Sequence, residues 1–321
     1  MSFCNRKIAG ITNYLGKKKQ TFCAYERGLQ MKDSNAIARE YFDKLLLEMR
    51  HIDACKANTE ITLWGEDFTM PVATAALSHL NNTCENGMVK MAEGAVLAGA
   101  LCFSGMGEEE ELAAMCATGA KVIKIIKPHA DNEVVFEKIR QAEKHGAFGV
   151  GMDIAHAFNG SGEYDVVCGL PMKPKSVEEL KSFVQATKLP FIIKGVLSEN
   201  DARKALEIGA AGIIVSHHHG IMDYAVPPLM ILPKIVKVID GQIPIFVDCC
   251  IESGMDAFKA LALGADAVCV GRAIMGPLKE NGAPGVQNKM EQMNRELAGV
   301  MSRTGFARVE DIDDSVIWRL S

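Results

Sequence analysis

Several residues in this chain are of types that do chemistry, and each follows an apolar run. Asp153 closes "GVGMD", Lys194 closes "FIIK", and Ser216-His217-His218-His219 follows "GIIV". Asp248-Cys249-Cys250 follows "IPIFV", and Gly271-Arg272 follows "ADAVCV". An imidazole beside a carboxylate makes a general base, because the carboxylate orients the ring and stabilises the imidazolium that forms. A lysine that ends a buried run is costly unless an anion meets it; a salt bridge to Asp248 or Asp153 would also satisfy Lys194. A glycine followed by an arginine offers close backbone approach and a bidentate cation, which suits a phosphate. Strand alternation, continued through the three histidines, sends His217 and His219 to one side and His218 to the other, which disfavours a three-histidine metal site. No metal is expected.

The elements that must position these residues are short and repeated. From about residue 70, eight apolar runs alternate with amphipathic segments: "MPVATAAL", "AVLAGALCFSG", "KVIKII", "AFGVGMD", "LPFIIKG", "AAGIIVS", "IPIFVD" and "ADAVCVG". Runs apolar on both faces suit parallel strands covered by helices, and "EKHGA", "LEIGA" and "LALGA" put glycine where a left-handed helix cap is wanted. Eight such units in succession predict a TIM (β/α)8 barrel over residues 70–321, with function at the carboxyl ends of the strands. Residues 1–69 are read as an N-terminal cap: a helix over "SNAIAREYFDKLLLEMRHI" and a short hairpin around Gly65 in "TEITLWGEDFT". "GVQNKMEQMNRELAGVMSRTG" reads as a terminal amphipathic helix whose methionines pack.

The net charge of -5 gives no basic footprint for nucleic acid or an acidic membrane surface, so the expected partner is a small molecule. The ten cysteines include several within apolar runs, such as Cys102 and Cys269, and these read as reduced core residues. The first twenty residues hold no long apolar stretch, and no stretch has the length of a membrane span, so a cytoplasmic location is expected.

The stretches "PFIIKGVLSENDARKALEIGAAGIIVSHHHG" and "IPIFVDCCIESGMDAFKALALGADAVCVGRAIMGPLKENGAPGV" resemble the FMN-dependent α-hydroxy acid oxidase and dehydrogenase family, strongly over residues 190–286 and less so over 70–153. The resemblance implies a barrel with FMN at the strand carboxyl ends, and a homo-oligomer of four subunits. It places Lys194 at the flavin N1/O2 edge, Gly271 and Arg272 at the phosphate, and Asp248 at the head of an Asp-Gly-Gly phosphate loop. Ala76, Leu77, Ser78, Ser104, Lys124, Gly151, Ser216, Cys249 and Cys250 fall where further flavin contacts are expected. His218 takes the position of the base and Asp153 that of its partner.

The chain also departs from that pattern. Of the two arginines that hold the substrate carboxylate in the family, one is Ile221 here, and between Asp153 and Arg272 the only arginine is Arg203, inside a helix pattern. His156, His219 and Lys127 are the substrate-contact candidates that remain, and glycolate and L-lactate are expected to be poor substrates. The two glycines of the phosphate loop are Cys249 and Cys250, and a nearby arginine is Glu252. Two other readings stay open: an FMN-dependent isomerase resembling type 2 isopentenyl diphosphate isomerase, and a non-catalytic flavin-binding barrel.

Overall fold

A computed structural model describes residues 33–320. Eight parallel strands close into a barrel: β1 (Val72–Leu77), β2 (Cys102–Ser104), β3 (Val122–Ile126), β4 (Gly149–Asp153), β5 (Phe191–Val196), β6 (Gly212–Val215), β7 (Ile245–Val247) and β8 (Ala267–Val270). Each pairs with its sequence neighbours, and Val268 of β8 opposite Val72 of β1 closes the ring. These are the eight runs the sequence singles out, and the barrel is the expected fold. Gly146, Gly209 and Gly264, just past the helices that precede β4, β6 and β8, adopt φ of 70°, 78° and 98°.

Alternation along the strands divides them into two sets. Val122, Ile126, Val150, Met152 and Ile193 pack outward in the cluster shared with the helices, whereas Ile123, Ile125, Ile192, Ile214 and Phe246 fill the barrel. The floor is closed by a hairpin of Ile61–Leu63 with Glu66–Phe68. Its Leu63 and Phe68 join the interior cluster, Trp64 stacks on Phe246 at 5.9 Å, and Trp64 Nε1 donates to Ala211 O, just before β6, at 2.9 Å. Trp64 and Gly65 both take positive φ, the conformation a two-residue hairpin turn requires.

The N-terminal helix is shorter than expected. It spans Ser34–Asp43, and Leu45–Leu47 leaves it as a strand paired antiparallel with Ile317–Arg319. The long-range partner overrides the helical propensity of "KLLLEM", since the returning C-terminal segment supplies backbone hydrogen bonds and Trp318 Nε1 donates to Glu48. The part of the expected cap within residues 1–32, including the apolar-stretch argument on the first twenty, lies outside the described residues. The final helix, Arg272–Thr304, breaks at Gly282 (φ 61°, ψ -138°), and its Met290, Met293 and Met301 are fully buried packing residues. Among the described residues, no helix is long and apolar enough to cross a membrane.

Candidate active site

The same alternation that fills the barrel builds the site. Continuing the inward-facing positions toward the carboxyl ends brings Lys127, Asp153, Lys194, Ser216 and Asp248 into one polar layer, each less than a tenth exposed. Asp153 Oδ2 is its hub. It accepts from Lys127 Nζ at 2.8 Å and His218 Nδ1 at 2.9 Å, with Lys194 Nζ at 3.8 Å. Lys194 Nζ is also 3.5 Å from Asp248 Oδ2 and 3.4 Å from Ser216 Oγ. The lysine thus meets both carboxylates named as its salt-bridge alternatives.

Burial alone would raise the Asp153 carboxyl, but Lys194, the hydrogen bond from His218 and Lys127 outweigh it and hold the group well below the usual carboxylate range. Burial alone would lower Lys194; Asp248 and Asp153 instead hold it above the ordinary lysine value. Lys127 is lowered by burial despite Asp153. Two lysines and two aspartates leave the layer near neutral, the condition for burying charge at all.

The three histidines do not continue the strand. β6 ends at Val215, and His218 and His219 adopt φ of 48° and 56°, so alternation no longer governs their side chains. The rings go three ways. His217 is buried and its Nδ1 accepts from Gly220 N at 3.0 Å, while His219 Nδ1 meets Asn35 Oδ1 of the N-terminal helix at 2.7 Å. His218 turns toward Asp153 at the mouth, its backbone amide anchored on Ser216 Oγ at 3.0 Å. On its far side, His218 Nε2 lies 2.7 Å from Nε2 of His156, whose Nδ1 is 3.2 Å from Asp165 Oδ2. Asp153, His156 and His218 are close enough together to hold a metal ion, but Lys127 and Lys194 already sit on Asp153 and would repel one.

Other expected contacts sort by position. Ala76, Leu77, Lys194, His218, His219, Asp248, Cys249, Cys250, Gly271 and Arg272 line one cleft across the mouth. Lys124 does not reach it. It shares the outward parity of Val122 and Ile126 and enters a separate cavity with His129 and Lys138, where burial lowers it to about 8. Lys127 borders that cavity too, but its Nζ reaches the polar layer and binds Asp153. A Cβ on Gly151 would lie 2.2 Å from Ile192 O, so its glycine serves the close approach of β4 and β5. Ser78 Oγ accepts from Met106 N at 2.7 Å, and Ser104 Oγ is buried without a hydrogen-bond partner among the described residues. Asp165, in the loop after β4, gave no signal in the sequence beyond the ordinary polarity of a loop.

The cleft suits a phosphorylated aromatic cofactor. A Cβ at Gly271 would meet only Ala75 and Leu77, at 3.5 and 3.7 Å, so packing does not demand glycine there and its bare face opens to the cleft. The helix that starts at Arg272 has no side-chain cap on its first amides, and Arg272 has no ion-pair partner among the described residues, which leaves an anion-ready helix N-terminus. Cys249 and Cys250 hold φ of 72° and 60°, the left-handed backbone that glycines would supply. Cys249 Sγ donates to Asp248 Oδ1 at 2.9 Å, and Cys250 Sγ points to Asn35 O at 3.6 Å. Burial raises both thiols, which keeps them protonated. Glu252 is the one carboxylate in the lining besides Asp248.

The model of the FMN-dependent dehydrogenase family matches residues 17–178 and 172–319. The chain belongs to that family. Glycolate oxidase 3 of Arabidopsis thaliana is 27% identical over 331 residues, covering 92% of this chain and 90% of the relative. A 2-hydroxyacid oxidase of Dictyostelium discoideum is 43% identical over a shorter stretch of 141 residues, 44% of this chain and 36% of that one. Among solved structures, mandelate oxidase superposes with a TM-score of 0.83 at 26% identity, covering 91% of this chain and 92% of that one. The protein is an FMN-dependent oxidoreductase of the α-hydroxy acid oxidase type acting on CH–OH groups, and of the readings left open by the sequence this is the one the matches support.

Proposed function

We propose that the enzyme oxidises a 2-hydroxy acid whose hydroxyl is deprotonated by His218, with Asp153 and Lys194 as the supporting groups. The observation that carries this reading is the Asp153–His218 contact of 2.9 Å at the cleft wall. Bound FMN supplies a two-electron acceptor for the substrate's hydride. The chain's own residues do the rest. Asp153 fixes the His218 ring through Nδ1 and stabilises the imidazolium formed on proton uptake. Lys194, charged and lining the cleft, would stabilise the negative charge that develops on a flavin bound there as it is reduced. Gly271, Arg272 and the first amides of the last helix would hold the phosphate, with Asp248 and the Cys249–Cys250 backbone lining the same cleft.

Glycolate and L-lactate should be poor substrates, since among the described residues no guanidinium pair faces the mouth to offset the desolvation of a small carboxylate. The eight described cysteines are unpaired, which suits the reducing cytoplasm, and the family resemblance supports a homo-oligomer that size-exclusion chromatography would test. The functional reading is tested by the visible spectrum of the purified protein, followed by anaerobic addition of 2-hydroxy acids. A flavin spectrum bleached by at least one acid is expected; a protein that binds no added FMN would remove the reading.

A further inference from the structure

The His156–His218 contact poses a problem of proton accounting. Both Nδ1 atoms face carboxylates, Asp165 at 3.2 Å and Asp153 at 2.9 Å, so each carries a hydrogen and donates it. Lys194 Nζ is also 3.2 Å from His218 Nδ1, but the carboxylate is nearer and ionised, and a bare ring nitrogen against it would set lone pair on lone pair. With both Nδ1 atoms protonated, two neutral rings would bring bare Nε2 atoms to within 2.7 Å. One further proton between them removes that repulsion. The pair then holds three protons on four nitrogens and a single positive charge.

We infer that His156 recognises the substrate's acid group and controls the base: in the empty site the pair shares one proton, and an arriving 2-hydroxy acid carboxylate draws that proton onto His156, which frees His218 to act. The inference rests on the hydroxy acid reading and deepens it. The proton leaves His218 Nε2 and ends on His156 Nε2, where it is donated to the carboxylate. The substrate hydroxyl then faces the vacated His218 Nε2, to which its own proton passes. No other bond changes in this step.

The surroundings favour this direction of control. Burial, Lys127 and His218 push the His156 ring below the ordinary histidine range, against Asp165 and Asp153, so His156 holds a proton poorly until an anion meets it. A carboxylate beside His156 reverses that balance. His156 lies in a short turn, Ile154–Ala157, with φ/ψ of -92° and 30° that depart from helical geometry. Among the described residues, the charged groups facing the pair are Asp153, Asp165, Lys127 and Lys194, and none is an arginine. The imidazolium therefore supplies the positive charge that the absent clamp would have given, and it does so only while a substrate acid is present.

The test compares acids with their neutral amides: glycolate with glycolamide, L-lactate with lactamide, and (S)-mandelate with 2-hydroxy-2-phenylacetamide. In the wild type the acids should reduce the flavin about 10- to 100-fold faster than the amides, in the limiting rate as well as in KM, the range of a charge-assisted hydrogen bond. His156→Gln should bring each acid and its amide to within a few-fold of each other, because His218 no longer shares a proton. Retained discrimination in that variant would overturn the proposal. Independently of turnover, histidine 15N NMR of the wild type should show one proton shared by two rings at neutral pH. Oxalate should move it onto one ring. Two neutral rings from pH 6 upward would overturn the inference even if every acid bleached the flavin. Failure of all acids and amides to bleach it would instead count against the hydroxy acid reading, with the NMR and oxalate result still deciding the histidine pair.

Discussion

The mouth of this barrel has two tiers built by different means. The lower tier, Lys127, Asp153, Lys194, Ser216 and Asp248, is set at or just past strand ends by the period of two, and is buried and charge-balanced. The upper tier, His156, His218, His219, Cys249 and Cys250, stands on turns; four of its five members adopt positive φ without being glycine. A strand end fixes a side chain's direction as soon as the strand is known, whereas a turn fixes it only through its own φ and ψ. Asp153, Lys194 and Asp248 of the lower tier keep the residue types that the sequence resemblance implies, whereas Cys249 and Cys250 of the upper one stand where it implies glycines.

The comparison is broken most sharply at the group that joins the tiers. His218→Asn should leave fold and flavin spectrum intact and slow anaerobic flavin reduction by roughly two to four orders of magnitude, the usual loss with a general base. A wild-type rate in that variant would detach the upper tier from the chemistry. His217→Asn, by contrast, should be tolerated, since that ring is turned away from the cleft.

One tier down, Asp153→Asn leaves Lys127 and Lys194 buried beside a neutral amide. Removing one partner of a buried ion pair costs about 3–5 kcal/mol, to be read as a lower midpoint in urea unfolding. The variant should also change the acid limb. A carboxyl depressed in the folded state stabilises above its unfolded value, near 4, and that contribution is lost as pH falls through the folded value. Wild type should therefore lose stability below about pH 4 more steeply than Asp153→Asn. Parallel acid curves would mean that the two lysines do not depend on this carboxylate.

These two tiers also separate what the sequence made legible from what it did not. Eight runs and their terminal polar residues disclosed the barrel, Asp153 and Lys194, because apolar periodicity carries both strand and facing. The same rule, applied through "SHHHG", failed at once, since nothing in three consecutive histidines announces a left-handed turn. It would have corrected the placement of Lys124, whose parity with Val122 and Ile126 sends it outward, had it been applied there. Asp165 and the reach of His156 depend on how one loop folds back over the mouth, and "KLLLEM" becomes a strand only because the far end of the chain returns to it. Such contacts are non-local, and local pattern does not encode them.

A smaller effect is expected at the phosphate end, where Arg272 would act together with the uncapped backbone amides of the last helix. Arg272→Ala should weaken FMN retention about 10- to 100-fold, as loss of one charge-assisted bond predicts, without changing the pH dependence of flavin reduction. Equilibrium dialysis or fluorescence titration of the apoprotein with FMN checks this. An unchanged affinity would place the phosphate elsewhere in the cleft.

The smallest effect, and the most direct test of the upper tier, is at Cys249 and Cys250. A non-glycine residue in left-handed backbone costs about 1–2 kcal/mol, which glycine would relieve. Glycine also gives the unfolded chain more freedom, which costs roughly 0.5–1 kcal/mol. Cys249→Gly further loses the thiol donor to Asp248 Oδ1, about 0.5–1.5 kcal/mol by the usual worth of a hydrogen bond, so it should come out neutral or slightly destabilised. Cys250→Gly loses no bond to a charged group, but it gives up the longer thiol contact to Asn35 O at 3.6 Å and the packing of a buried side chain. Both variants should stay within about 1 kcal/mol of wild type in denaturant unfolding, by the sum of these opposed effects, and should bind FMN no worse. A loss above about 2 kcal/mol in either would exceed every one of those contributions. It would mean that the thiols, and not the backbone path between β7 and the following helix, hold this loop in its left-handed shape.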